Sequence, residues 1–249
     1  MRILTLNTQL SGHDDKLEDF LSRERFDVLT LQEVSQRTLE RFSGVLHWHF
    51  ERNFVYEGVE YGVAILARKW IPISNVEFNQ YWGGTGDTKQ INLEKSDCDY
   101  YSNGRYWILA GDVGVWDKKF VIGTSYFPVA YPSDQTNPDQ IACMDNLVPA
   151  VEYLPDMIFT GDFNIARSSS KNWKSRPQHP LYPRLARALK DNIPPEIDNT
   201  LDPKLHRVQG LKVVCDYIWS RWNHRVSSVR LHEGLSDHQG ISADIDVEK

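Results

Sequence analysis

Eight short runs of apolar residues, separated by turn residues, constrain the fold of this chain most strongly. The runs are rich in Val, Ile, Phe, Tyr and Trp, which favour β-strands. Many of them are continuous rather than alternating, as expected for strands that are buried on both faces. They occupy residues 2–6, 27–31, 62–67, 106–115, 119–126, 157–161, 213–219 and 225–231. The sequence therefore predicts a protein built mainly on buried β-sheets.

Helical patterns lie between some of these runs. The predicted helices cover residues 14–24, 35–43, 138–154 and 182–190. Ser35 is suited to cap the second helix, and Pro138 is acceptable in the first turn of the third. Because strands outnumber helices and do not alternate strictly with them, we expect sheets packed on each other with helices outside.

The size of the chain and its first residues bear on domain organisation and location. A length of 249 residues suits one large domain, and without an evident linker we predict a single domain over residues 1–249. No apolar run approaches the roughly 20 residues that span a membrane. The first residues enter a strand pattern directly, without the features of a signal peptide. We therefore expect a cytoplasmic monomer that does not bind membranes.

Charge is distributed unevenly along the chain. The formal net charge is −6, which argues against a general nucleic-acid binder. Residues 167–230, however, contain 13 Lys and Arg against 5 Asp and Glu, an excess of +8. A basic face on an acidic protein would suit a phosphate-rich ligand, whereas a mildly basic solvated surface would give the same count.

Polar residues that could carry chemistry lie mostly at the ends of the apolar runs. They are Asn7, Glu33, Asp162, Asn164, Asp216, Asp237 and His238. Oxygen ligands bind Mg²⁺ or Mn²⁺, a carboxylate can deprotonate a water, and a His beside a buried Asp can be held charged. Each residue alone could be an ordinary turn or strand-end residue. Together they supply every part of a phosphodiester hydrolase.

Seven motifs resemble those of the endonuclease/exonuclease/phosphatase superfamily, and the nearest likeness is to the exonuclease III-like nucleases. In order they are LTLNTQL, LQEV, YGVAIL, GTSYFP, GDFN, CDYIW and LSDHQGI. They run from residue 4 to residue 241, and the pair of GDFN with the terminal SDH is the most specific part. The resemblance implies an α/β fold, a four-layer α/β sandwich of two packed mixed β-sheets flanked by helices. It also implies a phosphoesterase that depends on Mg²⁺ or Mn²⁺.

The resemblance further implies roles for particular residues. Glu33 corresponds to the principal metal ligand, helped by Asn7 and Asp237. Asp162 corresponds to the residue that activates the attacking water, and Asn164 to its orienting partner and a phosphate contact.

The remaining implied roles concern the phosphate. His238 corresponds to the group that hydrogen-bonds the scissile phosphate, and Asp216 orients it. Tyr126 occupies a position where some members of the family have Tyr and others His. Arg105 resembles an arginine that contacts phosphate in some nucleases.

A basic loop follows the GDFN motif directly. It contains Arg167, Lys171, Trp173, Lys174 and Arg176 and lacks acidic residues over 167–176. Basic side chains beside an aromatic one suit contact with a nucleic-acid backbone plus stacking on a base, so these residues are predicted to bind substrate. The alternative is an ordinary solvated loop.

Some positions depart from the pattern of the abasic-site nucleases. Those enzymes have an acid where this chain has Gln9, an Asn where it has Val129, and a Trp where it has Val213. These departures affect the grip on an abasic nucleotide and leave the metal chemistry untouched.

Three functions are compatible with the sequence. The first is a metal-dependent DNA nuclease, with nucleic acid as the partner and DNA preferred over RNA. The second keeps the same site but acts on a small-molecule, nucleotide or lipid phosphoester. The third is a scaffold that binds metal or phosphate without turnover, which the complete set of motif residues argues against.

Overall fold

Two β-sheets form the centre of this computed structural model, which describes residues 1–84, 104–129, 136–167, 178–221 and 223–247. The strands are β1 (Arg2–Asn7), β2 (Val28–Ser35), β3 (Leu46–Tyr56), β4 (Val59–Arg68), β5 (Ile73–Trp82), β6 (Tyr106–Val115), β7 (Lys118–Tyr126), β8 (Ile158–Arg167), β9 (Lys190–Asp191), β10 (Val214–Ser220), β11 (His224–His232) and β12 (Gly240–Val247). The helices within these ranges are α1 (Asp14–Arg23), α2 (Gln36–Arg41), α3 (Pro138–Tyr153) and α4 (Tyr182–Ala188).

Both sheets are mixed and have six strands. Their orders are β11-β12-β1-β2-β4-β3 and β5-β6-β7-β8-β10-β9. The parallel pairs are β1 with β2 and β7 with β8. The predicted arrangement of two packed mixed sheets is therefore confirmed.

The helices cover the outer faces of the sheets. Leu17 of α1 and Leu39 of α2 pack with Leu4 and Leu31 on the outside of the first sheet, while α3 and α4 pack against the second sheet. Ile3, the neighbour of Leu4, faces the core between the sheets. Strand β1 is thus buried on both faces, which explains its continuous apolar sequence.

Side-chain hydrogen bonds fix the two sheets relative to each other. Gln32 Nε2 donates to Thr5 Oγ1 at 3.2 Å in its own sheet and to Thr124 Oγ1 at 3.0 Å in the other. Thr160 Oγ1 donates to Thr30 Oγ1 at 2.8 Å across the same interface. Because buried polar groups are costly without partners, these pairs favour one registration of the sheets.

The predicted helices and their caps occur with small shifts at the ends. The Ser35 side chain accepts a hydrogen bond from the Thr38 backbone N–H, as expected for a cap of α2. Pro138 lies in the first turn of α3, whose cap is Asn137. Among the described helices, none has the length and apolar character needed to cross a bilayer.

His179 is a buried imidazole next to β8. Its Nδ1 accepts from the Leu181 backbone N–H at 3.2 Å, and its own backbone N–H donates to the Ala166 carbonyl at 2.8 Å. Burial lowers the pKa of His179 to about 4. The ring is therefore neutral in the folded protein at neutral pH.

This imidazole makes stability depend on pH. In the unfolded chain His179 binds a proton below about pH 6.5. In the folded protein it stays neutral down to about pH 4. The free energy of unfolding therefore decreases as the pH falls from about 6.5 to about 4. We expect the unfolding free energy to fall between pH 7.5 and pH 5 by about 1–2 kcal/mol more in the wild type than in His179→Asn. Urea denaturation at both pH values measures the difference, and equal losses in the two proteins would contradict a buried neutral imidazole.

Candidate active site

Residues from both sheets meet at one end of the sandwich. Asn7 ends β1, Glu33 lies near the end of β2, and Asp162 lies in β8 of the facing sheet. Asn7 Nδ2 donates to Glu33 Oε1 at 3.2 Å and to Asp162 Oδ2 at 3.0 Å. One amide thus joins the two carboxylates, although 155 residues separate Asn7 from Asp162.

Unusual backbone conformations orient the side chains of two predicted site residues, Glu33 and Asn164. Glu33 and Asn164 have φ values of 51° and 50°, in the left-handed region that is uncommon for residues other than glycine. The pairing of β2 with β4 shifts register between Leu31 and Val34, on either side of Glu33. Such irregularities redirect a side chain at the end of a strand, and left-handed residues tend to cluster at functional sites.

Two hydrogen-bond donors hold the carboxylate of Asp162. Its Oδ1 accepts from the Asn164 backbone N–H at 2.9 Å, and its Oδ2 accepts from Asn7. The Asn164 amide donates in turn to the Phe127 carbonyl at 2.9 Å. Burial and, after it, the negative charge of Asp216 raise the pKa of the Asp162 carboxyl to about 7, against the opposing effect of His238. A carboxylate with such a pKa can accept a proton near neutral pH.

His238 forms a buried ion pair beside Asp162. Its Nδ1 donates to both oxygens of Asp216, at 3.1 and 2.9 Å, and its Nε2 lies 4.0 Å from Asp162 Oδ2. Thr200 Oγ1 donates to Asp216 Oδ2 at 2.6 Å. Burial alone would lower the pKa of His238, but the charges of Asp216 and Asp162 raise it well above its usual value. The ring therefore carries a positive charge at neutral pH.

Glu33 and Asp237 place negative charge in the same cleft. Burial raises the pKa of Glu33, the hydrogen bond from Asn7 lowers it, and the charge of Asp237 raises it again. A hydrogen bond from Tyr126 to Glu33 also lowers this pKa. Ser236 Oγ donates to Asp237 Oδ1 at 3.3 Å. Two carboxylates that repel each other in a partly desolvated cleft favour a cation between them.

A second group of side chains has donor atoms close enough to bind a metal. Asp162, Cys215, Asp216 and His238 offer atoms that lie within 4.8 Å of one another. Burial raises the pKa of the Cys215 thiol, which therefore stays protonated. The negative charge of Asp216 is already balanced by its ion pair with His238. Metal binding needs a thiolate and a neutral imidazole. The Glu33 side of the cleft fits Mg²⁺ or Mn²⁺ better, since its donors are oxygens.

Most of the predicted site residues line a cleft of about 340 Å³: Glu33, Tyr126, Asp162, Asn164, Asp237 and His238. Asn7 and Asp216 are not part of this lining but hydrogen-bond residues that are. The apolar residues of the lining are Leu10, Ala166, Leu201, Val208, Leu211 and Val213.

The positions that depart from the abasic-site nucleases also line this cleft: Gln9, Val129 and Val213. His206 and Arg207 contribute to its edge and were missed in the sequence. They lie in a segment without an apolar run or a recognisable motif, and the only available signal was its basic character.

The structure gives Arg167 a different environment from the one predicted. Its guanidinium donates to Asp191 Oδ2 at 3.0 Å and to three backbone carbonyls, those of residues 193, 194 and 197. A guanidinium with four such bonds holds the segment after β9 in place. These bonds give no support to the predicted substrate contact of Arg167. Lys171, Trp173, Lys174 and Arg176 lie outside the described residues.

Arg105 lies just before β6 and is partly buried. Its backbone N–H donates to the Asn53 carbonyl at 2.7 Å, and its carbonyl accepts from Asn53 Nδ2 at 2.8 Å. These bonds anchor its backbone. The cleft lining does not include Arg105, so its proposed phosphate contact has no support from the described geometry.

Comparison with known proteins agrees with this geometry. The model of the Endonuclease/Exonuclease/phosphatase family matches residues 4–238. No curated protein matches the sequence.

Solved structures of low sequence identity share the fold. D. rerio TDP2 complexed with single strand DNA product has a TM-score of 0.67 and 14% identity, with 99% of each chain covered. The human nocturnin catalytic domain with bound sulfate has a TM-score of 0.67 and 16% identity, covering 99% of this chain and 94% of that one. An endonuclease/exonuclease/phosphatase from Bacteroides vulgatus has a TM-score of 0.69 and 14% identity, covering 99% and 98%. These likenesses confirm the predicted α/β sandwich.

Proposed function

This chain belongs to the endonuclease/exonuclease/phosphatase family, and from that membership we propose that it is a divalent-metal-dependent phosphodiester hydrolase that cleaves DNA. Members of the family are phosphoesterases and depend on divalent metals. The observation that carries the proposal is the bridge from Asn7 to Glu33 and Asp162, next to the charged pair of His238 and Asp216. That arrangement combines oxygen ligands, a proton acceptor and a cationic donor in one cleft.

The metal ligands would be Glu33, Asn7 and Asp237. Their oxygens suit Mg²⁺ or Mn²⁺, and the repulsion between Glu33 and Asp237 is what a cation would relieve. When bound, the metal supplies positive charge next to the phosphate oxygens. The hydrogen bond from Tyr126 to Glu33 favours the ionised form of that carboxylate against the effect of burial.

Asp162 would remove a proton from the attacking water. Its two oxygens are held by Asn7 and by the Asn164 backbone, so the carboxylate cannot rotate away from the cleft. The raised pKa of Asp162 makes it a stronger base than an exposed carboxylate. Asn164 would orient this base and contact the phosphate from the cleft wall.

His238 would hydrogen-bond the scissile phosphate. Asp216 holds the ring through Nδ1, which leaves the Nε2–H for the substrate. A fixed positive donor stabilises the extra negative charge that builds on the phosphoryl oxygens during attack. The ion pair with Asp216 keeps His238 charged during this step.

Two observations support DNA as the substrate. The structural neighbour TDP2 was solved with a single-strand DNA product, and the chain has a basic tract over residues 167–230. Several cations of this tract have other partners: Arg184 pairs with Asp145, Lys212 with Asp198, and Arg221 donates to carbonyls at the end of α3. These side chains are engaged within the protein, so the tract gives less support to DNA binding than its charge alone. Among the Lys and Arg side chains of the tract that the structure describes, that of Arg207 lines the cleft.

A small phosphoester is the second candidate substrate. The cleft volume of about 340 Å³ lies within the range of small-molecule sites, and the net charge of −6 disfavours long polyanions. Binding of DNA that weakens steeply with salt would favour nucleic acid. Binding of DNA that does not change with salt concentration would favour the small phosphoester.

Hydrolysis of bis(p-nitrophenyl) phosphate tests the proposed chemistry. We expect p-nitrophenolate release with Mg²⁺ or Mn²⁺ and none with EDTA. Release that EDTA leaves unchanged would overturn metal dependence. Metal binding without turnover of this ester or of DNA would support the non-enzymatic scaffold.

Replacement of Asp216 by Asn tests the role of the ion pair. The change keeps the size of the side chain and removes the charge that holds His238 protonated. We expect kcat at pH 7 to fall by about 10–10²-fold, equivalent to one lost charge-assisted hydrogen bond. The matched control is Asp198→Asn, which breaks only the ion pair with Lys212. Wild-type kcat in Asp216→Asn would contradict the proposed role of His238.

A further inference from the structure

A groove between α1 and α2 lies away from the catalytic cleft. Its volume is about 560 Å³, and residues of α1, α2, β2 and β4 contribute to its lining. Leu29 of β2 belongs to this lining, whereas Glu33 of the same strand lines the cleft. Four residues of a strand span about 13 Å, and Leu29 packs with the helices on the outer face of the first sheet. A ligand in the α1–α2 groove therefore does not occupy the cleft.

Apolar side chains form the floor of this groove and part of its open side. Leu29, Phe42 and Leu46 are buried in the floor. Leu21 is partly buried, and Val45 is 56% exposed. Solvent reaches these last two side chains, so the groove offers apolar contact to a ligand.

Exposed apolar side chains continue from the groove along the end of the sandwich. The Lys69 backbone N–H donates to the Val45 carbonyl at 3.3 Å, and Trp70, the next residue, is 62% exposed. The ring centroids of Trp70 and Trp116 lie 6.3 Å apart, and Trp116 is 90% exposed with φ of 58°. A side chain so exposed gains little from packing, and this conformation is rare for a bulky residue. Contiguous exposed apolar surface of this kind commonly marks an interaction site.

The groove is basic although it lies in an acidic part of the chain. Residues 1–160 carry 14 Lys and Arg against 23 Asp and Glu, whereas the groove lining has four arginines against two glutamates. Arg23 and Arg41 form ion pairs with acids of α1, which balance their charges. The other two arginines, Arg25 and Arg68, carry the excess of positive charge.

Arg25 and Arg68 have donor groups available for a ligand. Arg68 Nε donates to the Phe26 carbonyl at 3.1 Å. Within the part of the chain that the structure describes, neither the terminal nitrogens of Arg68 nor the guanidinium of Arg25 has a partner. A guanidinium matches the geometry of a carboxylate and can donate two hydrogen bonds to it. The groove thus combines cationic donors with an apolar floor.

We propose that the α1–α2 groove binds an acidic amphipathic segment of a partner protein. Apolar residues of that segment contact Leu21 and Val45, with Trp70 beyond the open end of the groove. Asp or Glu residues of the segment bind Arg25 and Arg68. An amphipathic helix binds a groove in this way, with its apolar face inward and its charges at the rim.

Acidic residues beside the groove argue against a nucleic acid or an anionic bilayer as its ligand. The side chains of Asp15, Glu18 and Asp19 on α1 are 92%, 52% and 67% exposed. They would repel a surface that carries phosphates throughout, since like charges brought together are unfavourable. A peptide can place its carboxylates opposite Arg25 and Arg68 and leave the positions opposite α1 uncharged.

Selection from a phage-displayed peptide library tests the inference with the whole protein. The library carries random segments of about 16 residues, long enough for several helical turns. We expect the enriched sequences to have an excess of Asp and Glu and apolar residues at helical spacing. No enrichment, or enrichment of neutral or basic sequences, would overturn the inference. The selection requires no turnover, so its outcome is independent of the proposed hydrolase function.

Substitutions in the groove show where the most enriched peptide binds. Fluorescence anisotropy of the labelled peptide measures its Kd. We expect Arg25→Glu and Val45→Asp each to raise Kd at least roughly tenfold. Both side chains are exposed, so the fold is retained, and thermal denaturation checks this. Arg230→Glu on β11 and Val59→Asp at the other end of β4 are the matched controls and should leave Kd unchanged. An unchanged Kd in both groove variants would place the peptide elsewhere and overturn the proposal.

Two further measurements examine the other possible occupants. We expect no sedimentation of the protein with vesicles of equal parts phosphatidylcholine and phosphatidylserine, and a monomer in sedimentation velocity. Vesicle binding that Arg25→Glu abolishes would overturn the inference and assign the groove to a membrane. A dimer that Arg25→Glu converts to a monomer would overturn it in favour of a second copy of this chain.

Discussion

Asp162→Asn is expected to lower kcat for phosphodiester hydrolysis by about 10²–10⁴, the usual effect of removing a general base. The substitution keeps the size of the side chain and the oxygen that accepts from the Asn164 backbone. It removes the negative charge that would take a proton from water. In the wild type the Asn7 amide donates to Asp162 Oδ2, and the substitution places a second amide opposite it.

Steady-state kinetics on an aryl phosphodiester at saturating Mg²⁺ measures this effect. Thermal denaturation of the same sample shows whether the variant is folded. The control is Asp139→Asn, which removes an acid from the first turn of α3 and from no part of the cleft. A folded Asp162→Asn protein with wild-type kcat would remove Asp162 from the role of base.

Gly161→Ala is expected to have the largest effect on stability. Gly161 has φ of 145°, a conformation that side-chain-bearing residues rarely adopt. A Cβ built there would lie 1.9 Å from the Ser125 carbonyl oxygen on the adjacent strand β7. Because that atom is backbone, β7 and β8 would have to separate next to Asp162. We expect the unfolding free energy to fall by about 3 kcal/mol or more.

Gly44→Ala is the matched control for this substitution. A Cβ at Gly44 meets no atom within 4 Å, so the expected change in unfolding free energy is within about 0.5 kcal/mol. Urea denaturation of both variants measures the difference. If Gly161→Ala were as stable as Gly44→Ala, the close approach of the two strands at the base of the site would be wrong.

The strands that the sequence predicted are those with continuous apolar runs. Four strands were missed: β3, β5, the two-residue β9 and β12. Strands β3 and β5 are edge strands of their sheets. Within each of them, apolar residues are interrupted by charged and amide residues that are at least partly exposed. Strand β12, GISADIDV, has few large apolar residues. Gly240 packs closely against Leu235 and Leu4, and Ser242 Oγ lies 2.8 Å from His232 Nε2. An average over a run of residues does not detect strands of this kind.

The candidate site was predictable where polar residues follow predicted strands. Strand ends at one edge of a sheet meet in space, so Asn7, Glu33 and Asp162 were expected together, and their hydrogen bonds place them in contact. Their catalytic roles stay predictions. The contacts of Arg167 could not be foreseen, because its acceptors are carbonyls of a segment more than 25 residues later in the chain. His206 and Arg207 follow a turn in which the Asp202 carboxylate accepts from the Lys204 and Leu205 backbone N–H groups. No sequence motif predicted that turn.

Cleavage of nucleic acid in the presence and absence of metal tests the proposed function most directly. The substrates are a DNA single strand, a plain duplex, an abasic-site duplex and an RNA strand, each with Mg²⁺, Mn²⁺ or EDTA. We predict metal-dependent cleavage of DNA that EDTA abolishes and that Asp162→Asn loses. Intact DNA under every condition, with a folded protein that binds the metal, would contradict the proposal.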